Sequence, residues 1–152
     1  MYVNMNEKEF GPIIIGKLMN IGGMLQRKAN KLLNQVGLNQ QQFSILFEIR
    51  KAESVRQKSM VNRLMLEKSH VSKIISKLHQ MELIEIEPSF EDKRSSLISI
   101  TPKGIETVTL CQEITAKWNM EWVNKINKKD RISMIDNLSM LQNLFKENIH
   151  ND

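Results

Sequence analysis

The period of the hydrophobic pattern changes in one stretch of the chain, and this change constrains the fold most. Over residues 14–81, apolar residues recur every three or four positions, which predicts a series of amphipathic helices. Residues 84–87 and 98–100 alternate instead between apolar and polar, which predicts the two strands of a β-hairpin. The helical period returns after Thr101. The predicted fold is therefore mainly α-helical with a small β-hairpin, an α+β class.

Capping residues predict where these helices begin and end. Gly11-Pro12 is expected to open the first helix, which ends before Gly37, and Asn39 with Gln42 forms a capping box for the second. The other expected boundaries are a third helix over 57–65, a turn at 66–68 before the fourth, a fifth from Thr101-Pro102 to about Ile126, and a last helix capped by Asp130. In that last helix Met134, Leu138, Leu141 and Phe145 are expected inside.

Positive charge is concentrated in the middle of the chain. The sequence has 22 basic and 17 acidic residues, a net charge of +5. All of this excess lies in residues 56–77, where six bases accompany one acid, so the rest of the chain is neutral. Charge alone would also fit a solvated helix face. A local basic field on a neutral body is, however, typical of a protein that binds a polyanion.

Periodicity favours the nucleic-acid interpretation. The fourth helix has an apolar inner face, and its outer face is polar, partly basic and free of acids. The outer face comprises Ser69, His70, Ser72, Lys73, Ser76, Lys77 and Gln80. Two short helices joined by a tight turn predict a helix-turn-helix, whose second helix enters the major groove. The hairpin that follows predicts a wing, whose tip reaches the adjacent minor groove.

Four segments resemble the MarR family of bacterial regulators: 38–43 (LNQQQF), 64–78 (LMLEKSHVSKIISKL), 92–94 (DKR) and 100–104 (ITPKG). The resemblance covers about residues 14–148 and implies a dimeric winged helix that binds a pseudo-palindromic operator. It also implies that Asp92 braces the wing, that Arg94 enters the minor groove, and that a small aromatic or lipophilic effector, or an oxidant, relieves DNA binding. The effector pocket would be lined by apolar residues of the first, second and fifth helices. Glu67 departs from the family pattern, which usually has a serine-like cap there.

These considerations give a set of residues expected to contact DNA in the helix-turn-helix and the wing. They are Gln57, Lys68, Ser69, His70, Ser72, Lys73, Lys77, Asp92, Lys93 and Arg94. The expected function is that of a DNA-binding transcriptional regulator, a repressor released by its effector. One alternative is a winged helix that binds only proteins. A second is a redox-responsive regulator acting through Cys111, which lies on an apolar stripe typical of a buried residue.

Long apolar stripes at both ends of the chain predict a homodimer, because a small central body cannot cover them. The expected division is an N-terminal dimerisation helix over 1–38, a winged helix-turn-helix over 39–101 and C-terminal dimerisation helices over 102–152, intertwined in one domain.

Several function classes are not expected. No nucleophile-base pair, phosphate-binding loop or metal-binding spacing is present, so we expect no enzyme, cofactor or metal. One cysteine excludes an intramolecular disulfide. Neither a signal peptide nor an apolar run of about 20 residues is visible, so we expect a cytoplasmic protein without a membrane partner.

Overall fold

The computed structural model describes residues 5–52, 54–64, 66–88 and 96–149, without the side chains of residues 62, 63, 148 and 149. The described chain is mostly helical and contains a three-stranded antiparallel sheet, which confirms the predicted α+β winged-helix class. The chain forms two compact units, residues 1–115 and 116–152.

The elements follow the predicted order, with one additional short strand. They are α1 (Glu7–Leu33), a 3₁₀ turn (Asn34–Val36), α2 (Gln40–Ala52), β1 (Ser54–Arg56), α3 (Gln57–Leu64), α4 (Lys68–Gln80), β2 (Ile84–Pro88), β3 (Ser96–Ile100), α5 (Pro102–Val123) and α6 (Lys128–Ile149).

Helix α1 begins at Glu7, so the expected start at Gly11-Pro12 is wrong. The Asn6 side chain accepts a hydrogen bond from the N–H of Lys8 at 3.3 Å, and Glu9 accepts one from the N–H of Asn6 at 3.0 Å. These acceptors satisfy N–H groups that have no partner within the helix, so the helix starts earlier and Pro12 lies inside it.

The connection between α1 and α2 matches the prediction. Gly37 has a φ of 74°, a left-handed conformation that terminates the helix and that glycine adopts without strain. The Asn39 side chain accepts from the N–H of Gln42 at 2.8 Å, and the Gln42 side chain accepts from the N–H of Asn39 at 2.9 Å. This reciprocal pair confirms the predicted capping box. Asn30 of α1 accepts from the N–H of Gln40 at 2.7 Å, which ties the two helices together.

The wing contains three strands in the order β1-β3-β2, not the two of the predicted hairpin. Both outer strands pair antiparallel with β3, and Ile98 of β3 lies opposite Val55 of β1 and Ile86 of β2. Val55 and Ile98 are buried, so β1 attaches the sheet to the helical core.

The core of the first unit is continuous from the end of α1 to the first half of α5. Its buried members are Leu33, Leu38, Ile45, Leu46, Ile49, Val55, Met60, Val71, Ile74, Ile75, Leu78, Leu83, Ile84, Ile98, Val108 and Cys111. Every described element of this unit contributes at least one buried apolar side chain, except the short 3₁₀ turn between α1 and α2. Helix α4 and the sheet therefore pack on one continuous core.

A group of residues that we call the joint between α4 and α5 connects the segment after α4 to the start of α5. It comprises Glu82, Leu83, Thr101 and Gly104. Thr101 donates through Oγ1 to the Glu82 carbonyl at 2.8 Å, and its N–H donates to the Leu83 carbonyl at 3.1 Å. The same Oγ1 accepts from the N–H of Gly104 at 3.0 Å, which confirms Thr101 as the predicted cap of α5. A Cβ at residue 104 would clash with the Leu83 carbonyl oxygen, so only glycine fits here.

The second unit contains the end of α5 and helix α6. Asn127 caps α6 by accepting from the N–H of Asp130 at 3.0 Å, so the expected cap at Asp130 is wrong by one turn. Met134, Leu138 and Phe145, which were expected inside, are 41–53% exposed on this chain, whereas Leu141 is half-buried. The amphipathic pattern identified the apolar face, but the expectation that Met134, Leu138 and Phe145 lie inside is wrong for the single chain.

Helix α1 also carries exposed apolar side chains along much of its length. They include Phe10, Ile14, Ile15, Met19, Ile21, Met24 and Leu25. None of the described helices is both long and apolar enough to cross a membrane.

Candidate nucleic-acid interface

Helix α4 presents two chemically different faces. Val71, Ile74, Ile75 and Leu78 are buried, which confirms the inner face predicted from their spacing. The exposed polar residues form a surface that we call the basic face. It comprises Lys68, Ser69, Ser72, Lys73, Ser76 and Lys77. No acidic residue occurs within α4, so no carboxylate of this helix offsets the positive charge.

The start of α4 is held by backbone geometry. Glu67 is the residue before the helix, and its side chain forms no capping hydrogen bond with the described first turn. Its carbonyl accepts from the N–H of Val71 at 3.0 Å. Because the N–H groups of a first turn carry partial positive charge, this end of the helix favours an anion such as a phosphate group.

The end of α4 is fixed by the joint with α5. The N–H of Glu82 donates to the His79 carbonyl at 2.9 Å, and the N–H of Leu83 donates to the Leu78 carbonyl at 3.0 Å. These two bonds form a Schellman motif, in which Glu82 takes a left-handed φ of 60° that usually favours glycine. An exposed ion pair joins Glu82 to Lys103 at 3.0 Å. Both ends of α4 are therefore fixed before any ligand binds.

His70 differs from the other residues of the predicted outer face. Its side chain is half-buried, and its Nε2 atom lies 2.8 Å from Oε1 of Gln41 in α2. The sequence did not predict this contact, because it joins residues 29 positions apart and no spacing rule relates them. Gln41 is thus a residue of the site that sequence reasoning missed.

The remaining predicted residues fall in two groups. Gln57 begins α3 and is half-buried, and its sequence neighbours Arg56 and Lys58 are exposed bases. Asp92, Lys93 and Arg94 lie outside the described residues, between the paired ends of β2 and β3 at Pro88 and Ser96. Their expected contacts with DNA stay predictions.

The environment of Cys111 bears on the redox-responsive alternative. Cys111 is fully buried, and this burial raises the pKa of its thiol to about 11. Because the thiolate is the reactive form, the environment of Cys111 disfavours the redox-responsive alternative. Among the described residues, no cluster of three His, Cys, Asp or Glu side chains could hold a metal ion.

The described residues of the first unit form open depressions near the start of α2 and near the start of α4. One of about 440 Å³ lies between the end of α1 and the start of α2 and is lined largely by polar residues, including Asn30, Asn34 and Gln42. The other, of about 510 Å³, lies beside the first turn of α4 and is lined by Val61, Leu66, Glu67, Lys68 and His70. The apolar effector pocket expected between the first, second and fifth helices stays a prediction.

Comparison with known proteins agrees with this geometry. Residues 38–96 match the model of the MarR family. The HTH-type transcriptional regulator YdcH of Bacillus subtilis is 31% identical over 125 residues, which cover 80% of this chain and 82% of YdcH. An HTH-type transcriptional regulator of Staphylococcus aureus, SAV2265, is 26% identical over 132 residues, covering 82% of this chain and 86% of that protein.

Solved structures share the fold. A mutant of MarR from E. coli in complex with operator DNA superposes with a TM-score of 0.71 at 21% identity, covering 91% of this chain and 96% of MarR. The organohalide-sensing regulator RdhR-CbdbA1625 in its 2,4-dichlorophenol-bound form superposes with a TM-score of 0.79 at 20% identity, covering 94% of this chain and 87% of that one. The winged helix with an acid-free basic face, together with these matches, shows that the chain belongs to the MarR family of transcriptional regulators.

Proposed function

We propose that this chain is a repressor that binds a pseudo-palindromic DNA operator as a homodimer and releases it when a small aromatic or lipophilic molecule binds. The basic face of α4 is the observation that carries the proposal. Lysines supply charge for phosphates and donors for guanine, and serine hydroxyls can pair with any base edge or phosphate. A rigid helix that exposes both residue types along one side has the chemistry needed to read a major groove.

Within this proposal the residues have different tasks. Ser69, Ser72 and Lys73 read base edges, and Lys68 and Lys77 contact phosphates nearer the ends of α4. Arg94 enters the minor groove at the tip of the wing, where the negative potential is strongest in narrow A·T-rich sequence. The MarR–operator complex supports this arrangement as a precedent for the same fold on DNA.

The proposed homodimer rests on the exposed apolar faces of α1 and of the second unit. Side chains such as Met19 and Met24 are more than 60% exposed, and Ile135 is 63% exposed. Burial of apolar surface contributes about 25 cal/mol per Å², so a partner copy that covers these faces stabilises the folded chain. We expect light scattering at micromolar concentration to give about twice the chain mass of 17.7 kDa. A monomer that binds palindromic DNA would contradict this part of the proposal.

The proposed effector is a small apolar aromatic compound, and its precedent is the dichlorophenol-bound regulator of the same fold. We expect aromatic carboxylates or phenols at high micromolar concentration to raise the melting temperature and weaken operator binding. A broad panel of such compounds that changes neither quantity would remove the effector from the proposal.

The decisive experiment measures DNA affinity at several salt concentrations on a selected operator and on random duplexes. Lys73→Ala, in the middle of the basic face, should lower the ratio of operator to random affinity, because a base contact is worth roughly 1–3 kcal/mol. Lys68→Ala should instead reduce the slope of log affinity against log salt by about one for each lost phosphate contact. Arg94→Ala should weaken binding most on A·T-rich flanks.

Lys129→Ala serves as the matched control, because Lys129 is an exposed lysine of α6 in the second unit. It removes the same charge without touching the basic face. If the Lys73, Lys68 and Arg94 variants all keep the wild-type affinity and salt slope, the winged helix is not the DNA-binding surface. A wild-type chain that binds no DNA at low salt would favour the protein-binding alternative.

A further inference from the structure

We propose that Gln41 is a positioning residue that sets the base preference of the operator through His70. Gln41 holds the imidazole so that Nε2 carries the proton and Nδ1 is left as a hydrogen-bond acceptor. His70 then favours a base whose major-groove edge offers an amino donor, which is N6 of adenine or N4 of cytosine. This inference rests on the proposed function, because it requires that α4 reads DNA.

The hydrogen bond between the two side chains fixes the tautomer. Oε1 of Gln41 lies 2.8 Å from Nε2 of His70, and an amide oxygen can only accept. With the Gln41 amide in this orientation, Nε2 is the donor. In a neutral imidazole one ring nitrogen donates and the other accepts, so Nδ1 becomes the acceptor. Both side chains are half-buried, which shields the bond from competing water.

The position of His70 makes this tautomer relevant to recognition. His70 is the third residue of α4, next to exposed Ser69 and one turn before exposed Lys73. The N-terminal residues of a recognition helix are those that contact base edges. His70 also borders the open depression beside the first turn of α4.

Guanine N7 and O6 and thymine O4 are acceptors and cannot pair with an acceptor nitrogen. A His70 held in this tautomer is therefore expected to prefer adenine or cytosine at one position of each half-site. Without Gln41 the ring can rotate and adopt either tautomer, so the preference at that position is lost while the charge of the basic face is unchanged.

The first measurement concerns the tautomer and needs no DNA. Proton–nitrogen correlation spectra of the full chain with ¹⁵N-labelled histidine, recorded at pH 8, distinguish a protonated from an unprotonated ring nitrogen. His70→Ala assigns the His70 signals among those of the three histidines. We expect the wild type to show Nε2 protonated and Nδ1 unprotonated, and Gln41→Met to show a mixture. A wild-type spectrum with Nδ1 protonated would overturn the inference.

The second measurement selects bound duplexes from a random pool with the wild type, Gln41→Met, His70→Ala and Gln26→Met. Gln26→Met is the matched control, because it makes the same chemical change at an exposed glutamine of α1. We expect one position per half-site to prefer adenine or cytosine about three- to tenfold in the wild type and the control. Gln41→Met and His70→Ala should both lose this preference and keep those at other positions.

The outcomes separate this inference from the function on which it rests. If the wild type enriches no sequence, the proposed function fails and the inference fails with it. If a motif is enriched and Gln41→Met selects the same bases as the wild type, the inference alone is refuted. Loss of every preference in Gln41→Met, together with a lower melting temperature, would also refute it, because Gln41 would then act on the whole fold.

Discussion

The joint between α4 and α5 gives the sharpest test of the structure, through Gly104→Ala. A Cβ at this position would lie 2.1 Å from the Leu83 carbonyl oxygen and 2.7 Å from Cγ1 of Ile100. The carbonyl belongs to the backbone and already accepts from the N–H of Thr101, so it cannot move without stretching that bond. Overpacking costs about 1–3 kcal/mol, and a weakened hydrogen bond adds about 0.5–1.5 kcal/mol. We therefore expect a destabilisation of about 2–4 kcal/mol.

Urea unfolding at a fixed protein concentration measures this effect as a lower midpoint with an unchanged m-value. Gly16→Ala is the control, because no described atom lies within 4 Å of a Cβ built there and the residue is in the interior of α1. Alanine is a better helix former than glycine, so the control should stabilise the chain by about 0.5–1 kcal/mol. A Gly104→Ala variant within about 0.5 kcal/mol of the wild type would refute the geometry of the joint.

Three further predictions concern the same region and its neighbour. Glu82→Gly should raise the free energy of unfolding by about 0.5–1 kcal/mol, because the strain relieved at the left-handed φ is larger than the contribution of the exposed ion pair with Lys103. A variant that is less stable than the wild type in urea would contradict this. Thr101→Val should lower the free energy of unfolding by about 2 kcal/mol, and Thr101→Ser should lower it by less than about 1 kcal/mol, because only serine keeps both hydrogen bonds of Oγ1. Equal losses of the two variants in urea would show that these bonds do not contribute to stability. The pKa of Cys111 is raised from 9.0 to about 11, so the unfolded thiol ionises first as pH rises. The difference in unfolding free energy between the wild type and Cys111→Val should thus be constant below pH 9. Between pH 9 and 11 the wild type should lose stability relative to Cys111→Val. A difference that is flat to pH 11 would contradict it.

Local patterns in the sequence predicted much of the fold. The spacing of Val71, Ile74 and Leu78 determines the buried face of α4, because one side of a helix repeats every 3.6 residues. Gly37, the Asn39–Gln42 pair and the capping bond of Thr101 to Gly104 involve partners within four residues, so their effects are visible in the sequence. The polar and basic composition of the remaining face of α4 follows from the same periodicity.

Features that depend on distant partners could not be predicted in this way. Strand β1 has three residues, too few for a periodic signal, and it forms because β3 offers an edge for pairing. The early start of α1 is a different case, because it depends on a local capping box, Asn6 with Glu9, that lies before Gly11-Pro12 in the sequence. The Gln41–His70 hydrogen bond joins two helices and has no counterpart in the sequence pattern.

The connection from β3 to α5 limits where the chain can gain or lose residues. Strand β3 ends at Ile100 and α5 begins at Pro102, so Thr101 is the whole connection. One inserted residue would turn α5 by about 100° about its axis and carry Val108 and Cys111 out of the core. Boundaries between elements usually accept insertions and deletions, but here the register of a helix depends on a single residue. Natural relatives that keep this core should therefore vary in length elsewhere and preserve the spacing between β3 and α5.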